Sequence, residues 1–154
     1  MEKICDHKSV GMLVWKDEKL LLVERMKFPL AFAPPAGHCD GADFVSTAKK
    51  ELEEEVGLVA VSLKLVAEGR KENPCRRVEG AWHYWQIFEV EAEGEIKRSE
   101  TETKQIKWVE KEELRSLAKR TQEYDLGKIS ADDWEKNPGL EQVWCEWLSE
   151  LKII

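Results

Sequence analysis

The stretch of sequence that decides the fold reads Lys50-Glu51-Leu52-Glu53-Glu54-Glu55-Val56-Gly57-Leu58. Apolar residues recur at every fourth position of the surrounding region, at Phe44, Ala48, Leu52 and Val56. This spacing predicts a helix over residues 43–56, because residues four apart lie on the same helical face. We expect Asp43 to cap the first turn of the helix and Gly57 to end it.

Three glutamates share one side of this predicted helix. At about 100° per residue, with Glu51 at zero, Glu55 lies at about 40° and Glu54 at about −60°. Leu52 and Val56 fall on a different strip, so one face can pack while the other collects negative charge. Like charges this close are unfavourable near the negative end of a helix dipole unless a cation compensates them. Carboxylate ligands suit Mg²⁺ or Mn²⁺, and a solvated acidic face is the alternative explanation.

A glycine-bearing loop, Pro35-Ala36-Gly37-His38-Cys39-Asp40-Gly41, leads into the helix. From Gly37 to Leu58, loop and helix resemble the Nudix box, written G-x5-E-x7-R-E-U-x-E-E-x-G-U with U apolar. Gly37 matches the first position, and six residues match the second half in order and spacing: Glu51, Leu52, Glu54, Glu55, Gly57 and Leu58. The stretch is one residue shorter than the pattern. Ala42 stands at the early Glu position and Lys50 at the Arg position.

The resemblance to the Nudix hydrolase superfamily implies a fold and an activity. The implied fold class is α/β (α+β), an α/β/α sandwich with a mixed central sheet. The implied activity is metal-dependent cleavage of a pyrophosphate bond in a nucleoside di- or triphosphate or a related nucleotide derivative, with Mg²⁺ or Mn²⁺ as cofactor. The alternative is a non-catalytic, nucleotide-binding regulatory module of the same fold. Homodimers are common in the family, so the resemblance leaves open whether this chain forms a homodimer.

The resemblance also implies roles for individual residues. The implied metal ligands are Glu51, Glu54, Glu55 and Glu102. Glu102 lies six residues before Trp108, as an acid often does in the family, and Glu100 is its rival. Glu51, Glu54 and Lys50 are the implied catalytic residues, with Lys50 orienting Glu51 or balancing its charge. Gly37 would let the backbone turn beneath the phosphates, and the basic side chains expected to hold them are Arg25, Arg70 and Arg76.

Composition narrows the possible partners. The 154 residues carry a net charge of −7, which disfavours non-specific binding to nucleic acid or to an anionic membrane. The length predicts a single domain over residues 1–154. The first nine residues lack the apolar run of a signal peptide, and no run is long enough to span a membrane. We therefore expect a cytoplasmic protein.

Outside the acidic helix, the sequence predicts mainly strands. Apolar runs at 10–15 and 20–23, separated by a polar turn, predict a β-hairpin. Further strands are expected at 58–67, 82–90 and 103–109, and a short helix at 111–118. Residues 119–138 carry no clear pattern. Helical spacing of apolar residues, including Trp144 and Trp147, predicts a C-terminal helix at about 140–151, packed on this chain or on a partner.

The four cysteines are Cys5, Cys39, Cys75 and Cys145. They form no CxxC pair, so free thiols are the simplest expectation. One alternative is a zinc site drawn from Cys5, His7, Cys75 and His83, which would make the chain a zinc-stabilised interaction domain. Only one residue separates Cys5 from His7, which is tighter than the usual spacing of zinc ligands.

Overall fold

The structure, a computed structural model, describes residues 3–154. The chain begins with strands β1 (Lys8–Leu13), β2 (Trp15–Lys16), β3 (Lys19–Arg25), β4 (Phe32–Ala33) and β5 (Ala36–His38). Next come helix α1 (Phe44–Val56) and strands β6 (Val59–Lys71), β7 (His83–Glu93) and β8 (Thr103–Val109). The chain then forms helices α2 (Lys111–Asp125), α3 (Ala131–Lys136) and α4 (Gln142–Glu150).

The strands form two sheets. The first has the order β5-β1-β7-β6 and is mixed, because β1 and β7 are parallel whereas the other neighbours are antiparallel. The second is built around β3, which pairs antiparallel with β2, β4 and β8. This is the mixed α/β architecture expected from the sequence.

The predicted hairpin forms only next to its turn. Residues 8–13 form β1 in the first sheet, whereas β3 lies in the second sheet. Across the turn, β2 pairs with β3, with Trp15 opposite Leu20, and the Leu21 N–H donates to the Val14 carbonyl oxygen at 2.9 Å. Both apolar runs are buried on two faces, so neither shows the alternation of polar and apolar residues that would identify its partner.

Helices cover both faces of the sheets, as an α/β/α sandwich requires. Leu20 and Leu22 of β3 belong to one hydrophobic cluster, together with Trp144 of α4. Leu21 of the same strand belongs to a second cluster, together with Leu52 of α1. Successive residues of a strand point to opposite faces, so β3 contributes to both halves of the core.

The helices agree with the sequence where local signals are strong. In α1, Asp43 Oδ1 accepts a hydrogen bond from the Ser46 N–H at 2.8 Å, and Gly57 ends the helix with a φ of 77°. Helix α2 extends beyond residue 118, where the predicted short helix ends. Helix α3 lies within residues 119–138, where the sequence carries no clear pattern. In α4, Trp144 and Trp147 are buried in the core of this chain. Among residues 3–154, no helix has the length and hydropathy of a membrane span.

Candidate functional site

The carboxylates of three glutamates converge beside a surface pocket. We call them the carboxylate cluster: Glu51 and Glu55 of α1, and Glu102 from the loop before β8. One oxygen from each residue lies within 4.8 Å of the other two. Glu51 and Glu55 are four residues apart, so one turn of α1 presents both to the same side. Three converging carboxylates can bind a hard divalent cation.

Strand β5 packs against the carboxylate cluster and supports two of its side chains. The backbone N–H of Ala36 donates a hydrogen bond to Glu55 Oε2 at 3.1 Å. At Gly37, a Cβ atom would overlap the carboxyl group of Glu51. Only glycine therefore lets β5 approach this closely. The loop and the helix of the motif thus form one unit, in which the strand positions the acids.

The electrostatics of the cluster favour a bound cation. Glu55 is only 8% exposed, and this burial, together with Glu51, raises the pKa of its carboxyl well above the usual value. Burial is also the main cause that raises the pKa of Glu51 to about 7, with further contributions from Glu54 and Glu102. Taking negative charge out of water is costly, and a divalent cation would offset both the burial and the repulsion.

The third glutamate of the helix, Glu54, does not join the cluster. Its side chain is half exposed, and Glu54 Oε1 lies 3.9 Å from Lys50 Nζ. Lys50 is itself largely exposed, and within residues 3–154 it makes no hydrogen bond to Glu51. On the helix, Glu54 lies about 60° from Glu51 on the side away from Glu55, whereas β5 contacts Glu51 and Glu55. Glu54 and Lys50 therefore lie at the edge of the site, and their roles stay predictions.

Early in the motif, Asp43 stands beside Ala42, which occupies the early Glu position. The Asp43 side chain caps α1: it accepts hydrogen bonds from the backbone N–H and the hydroxyl of Ser46. Asp43 is thus committed to the helix N-terminus, and it lies outside the carboxylate cluster. Glu100, the rival of Glu102, is likewise outside the cluster.

Two of the three predicted phosphate-binding arginines reach the pocket. Arg25 and Arg76 line it, together with Gly37. The Arg25 Nε donates to the Pro29 carbonyl oxygen at 2.9 Å, which fixes the side chain at the end of β3. Arg70 lies elsewhere: it is paired with Glu72 at 2.7 Å, and its guanidinium lies 4.0 Å from the centre of the Trp82 ring.

Sequence reasoning missed two charged residues that line the same pocket, Lys27 and Glu141. Lys27 follows Arg25 by two positions, so a search for basic residues near the end of β3 could have found it. Glu141 has no such signal. It reaches the pocket because its backbone N–H donates to the Phe32 carbonyl oxygen at 2.9 Å, a contact between segments far apart in sequence.

Comparison with known proteins gives a consistent result. The sequence model of the NUDIX domain matches residues 6–131. A MutT NUDIX hydrolase from Burkholderia pseudomallei is 18% identical over 69% of this chain and 84% of its own, with a TM-score of 0.60. A NUDIX hydrolase from Nitrosomonas europaea is 20% identical over 79% and 90%, with a TM-score of 0.60.

A third solved structure, a Caenorhabditis elegans Ap4A hydrolase complex, is 20% identical over 78% of this chain and 90% of its own, with a TM-score of 0.53. No curated protein matches this chain. At these identities, the likeness to the solved structures concerns the fold. The domain match, by contrast, spans α1 and all three residues of the carboxylate cluster.

Proposed function

The chain belongs to the Nudix family of hydrolases, and from this membership we propose that it cleaves a pyrophosphate bond in a nucleoside di- or triphosphate or a related nucleotide derivative. One observation carries the proposal: Glu51, Glu55 and Glu102 converge within 4.8 Å beside a pocket that Arg25 and Arg76 also line. Carboxylates that hold a metal cation and arginine side chains that hold phosphate oxygens are recurring components of sites for phosphoryl transfer.

The carboxylate cluster suits Mg²⁺ or Mn²⁺, because it offers only oxygen atoms, and because burial and the neighbouring acids raise the pKa of Glu51 and Glu55 despite the nearby basic side chains. Glu51, Glu55 and Glu102 would hold the ion. When bound, the cation supplies neutralisation of the diphosphate charge and activation of water. Ala36 keeps Glu55 in place through its N–H, so the ligand is already oriented.

In the proposed reaction, a water oxygen forms a bond to phosphorus while the anhydride P–O bond breaks. The bonding electron pair leaves with the departing group, which is phosphate, pyrophosphate, a nucleotide or a sugar phosphate according to the substrate. The Glu51 carboxylate takes the proton from water, since it is more exposed than Glu55 and faces the pocket beside Gly37. Arg25 and Arg76 orient the phosphate oxygens by charge-assisted hydrogen bonds.

Glu54 and Lys50 enter the proposal through their effect on Glu51. The negative charge of Glu54 raises the pKa of Glu51, and the positive charge of Lys50 lowers it. The two side chains thus adjust the basicity of the proton acceptor from the edge of the site. We do not assign Arg70 a phosphate contact, because it is paired with Glu72 outside the pocket. A homodimer and a cytoplasmic location stay predictions.

The test is a substrate panel with the full chain. Nucleoside di- and triphosphates, ADP-ribose and Ap4A are incubated with Mg²⁺ or Mn²⁺, and released phosphate, pyrophosphate and nucleotide are measured. We expect turnover of at least one compound, and its loss on addition of a chelator. Saturable binding without turnover across the panel would instead support the non-catalytic regulatory module.

A further inference from the structure

A second set of ligand atoms converges on the pocket side of β5 and β7. We call it the Cys/His cluster: Cys5, His38, Cys75 and His83. One sulfur or ring nitrogen from each residue lies within 4.8 Å of the other three. The four come from the N-terminal segment, β5, the loop before β7, and β7 itself. We propose that this cluster is a tetrahedral structural zinc site, independent of the proposed hydrolysis.

Two distances within the cluster are close to the edges of a zinc tetrahedron. Cys5 Sγ lies 3.3 Å from His83 Nε2, and His38 Nε2 lies 3.2 Å from the same nitrogen. Zinc bonds of about 2.3 Å to sulfur and about 2.0 Å to nitrogen place a tetrahedral S and N about 3.5 Å apart, and two N about 3.3 Å apart. Two thiols and two imidazoles are also a common ligand set of structural zinc.

His83 is already oriented as a metal ligand. Its Nδ1 lies 2.8 Å from the Asn73 carbonyl oxygen, so this nitrogen carries the proton and donates it. The lone pair of Nε2 therefore points into the cluster. The Asn73 side chain accepts a hydrogen bond from Trp85 Nε1 at 3.0 Å, which holds the carbonyl partner in place. Metal-binding histidines commonly donate their other ring N–H to such a carbonyl.

The backbone around both cysteines is shaped to support thiolate ligands. Each sulfur accepts a backbone N–H from two residues further on: His7 to Cys5 at 3.3 Å, and Arg77 to Cys75 at 3.4 Å. These two hydrogen bonds hold both sulfurs in position. A Cβ at Gly80 would overlap the Cys75 sulfur, so glycine at this position makes room for the ligand.

The structure corrects the zinc set suggested by sequence, because His38 replaces His7. The His7 ring stacks on Trp82, with centroids 4.0 Å apart, and its Nδ1 lies 2.9 Å from the Trp82 carbonyl oxygen. His38 arrives through strand pairing: Ser9 of β1 is opposite His38 of β5 on one side and Trp85 of β7 on the other. The sequence alone does not reveal that register.

A zinc ion here would hold the pocket wall in place. The loop that carries Cys75 also carries Arg76, which lines the pocket. This loop is otherwise tied to the N-terminal segment by two backbone hydrogen bonds, from Cys5 N–H to Val78 and from Val78 N–H to Lys3. Four protein ligands would saturate the ion and leave no position for water, which is typical of a structural zinc site.

The first test measures metal content. The full chain is purified under reducing conditions without a polyhistidine tag, dialysed against Mg²⁺ and analysed by mass spectrometry for metals. We expect about one zinc per chain. Replacing zinc by Co²⁺ should give the visible bands of a tetrahedral ion and the near-ultraviolet charge-transfer band of thiolate ligation. The carboxylate cluster offers no sulfur, so it cannot produce that last band.

Variants identify the ligands. His38→Asn should lose zinc. Cys5→Ser should also lose zinc, and with Co²⁺ its charge-transfer band should lack the contribution of the Cys5 thiolate. His7→Asn is the matched histidine control and should keep zinc, because asparagine tolerates the φ of 61° at this position. Cys145→Ser is the matched cysteine control, since Cys145 lies outside the cluster. Glu55→Gln should also keep zinc, which separates this site from the proposed active site.

Three results would overturn the proposal. The first is a zinc-free wild-type protein that shows no thiolate band with Co²⁺. The second is a disulfide between Cys5 and Cys75 in the freshly purified, metal-free protein. The third is loss of zinc in His7→Asn with retention in His38→Asn. The first two are measured on the wild-type chain, so they decide the matter even where a variant does not fold.

Discussion

The carboxylate cluster and the Cys/His cluster adjoin the same short strand, β5, but their residues reach it in different ways. Glu51 and Glu55 are one helical turn apart, and only Glu102 comes from elsewhere. In the Cys/His cluster, each residue comes from a different segment, and Cys5 and His83 are separated by 78 positions. The first can be recognised from helical periodicity, whereas the second depends on strand register.

The two clusters also differ in chemistry. One offers only oxygen atoms, and the other offers two sulfur and two nitrogen atoms, although residues of both clusters line the same pocket. Strand alternation separates them, since a Cβ at Gly37 would point to Glu51 whereas the next residue, His38, belongs to the Cys/His cluster. Because the donor atoms differ, hard Mg²⁺ and borderline Zn²⁺ should bind to different clusters.

The largest expected effect comes from removing one charge of the carboxylate cluster. Glu55→Gln should lower kcat by about 10²–10³-fold or more, because it removes a cation ligand that acts in the transition state. Zinc content should not change. Glu53→Gln is the matched control, because Glu53 is exposed on the same helix and lies outside the cluster. Equal losses in the two variants would contradict the assignment.

The next effect concerns stability and removal of zinc. Stripping zinc with a strong chelator should lower Tm by roughly 5–10 °C, because zinc binds the folded chain and not the unfolded one. Removing Mg²⁺ alone should stop turnover with a much smaller change in Tm. Differential scanning calorimetry on the wild-type chain measures the change in Tm after removal of zinc and after removal of Mg²⁺, and the substrate panel measures turnover. A Tm that depends only on Mg²⁺ would argue that the Cys/His cluster holds no metal.

A matched pair of glycines tests whether the clusters act separately. Gly37→Ala should push Glu51 aside and lower kcat by about 10–100-fold, with zinc content unchanged. Gly80→Ala should displace the Cys75 sulfur and weaken zinc retention by a comparable factor, with a smaller effect on kcat. Both readouts moving together in each variant would show that the two clusters form one coupled site.

The smallest effect is expected at the edge of the carboxylate cluster. Lys50→Ala removes an exposed ion pair with Glu54 whose atoms are 3.9 Å apart, so the free energy of unfolding should change by less than about 0.5 kcal/mol. The kcat should fall less than about tenfold, since Lys50 acts on Glu51 only through charge. A loss as large as that of Glu55→Gln would mean that Lys50 contacts the reacting groups.

Sequence reasoning succeeded where a few neighbouring residues decide the structure. The cap at Asp43, the end at Gly57 and the strand at Thr103–Val109 are all confirmed. It succeeded only in part in the hairpin, because residues 10–13 pair with β5 and β7, whereas Val14 and Trp15 next to the turn pair with β3. Two-sided burial makes such runs uniformly apolar, so they reveal a strand but not its partner.

The same division applies to the candidate site. The helical wheel grouped Glu54 with Glu51 and Glu55, yet only the latter two face β5 and Glu54 lies beside Lys50. The wheel gives angles around one helix, and it contains no information about which arc the rest of the chain covers. The zinc set suggested by sequence named His7 because it is close to Cys5 in the chain, but the His7 ring stacks on Trp82. Strand pairing brings His38 to the cluster instead.

By itself, the sequence determined α1, its caps, its acidic side and the resemblance to the Nudix family. Each of these depends on hydrogen bonds or side-chain spacing within a few residues of one another. Only the tertiary structure decided which carboxylates meet Glu102, which sheet receives residues 8–13, and that His38 completes the second cluster. Those outcomes depend on strand register and burial between segments that are far apart in the chain, where local propensity carries no information.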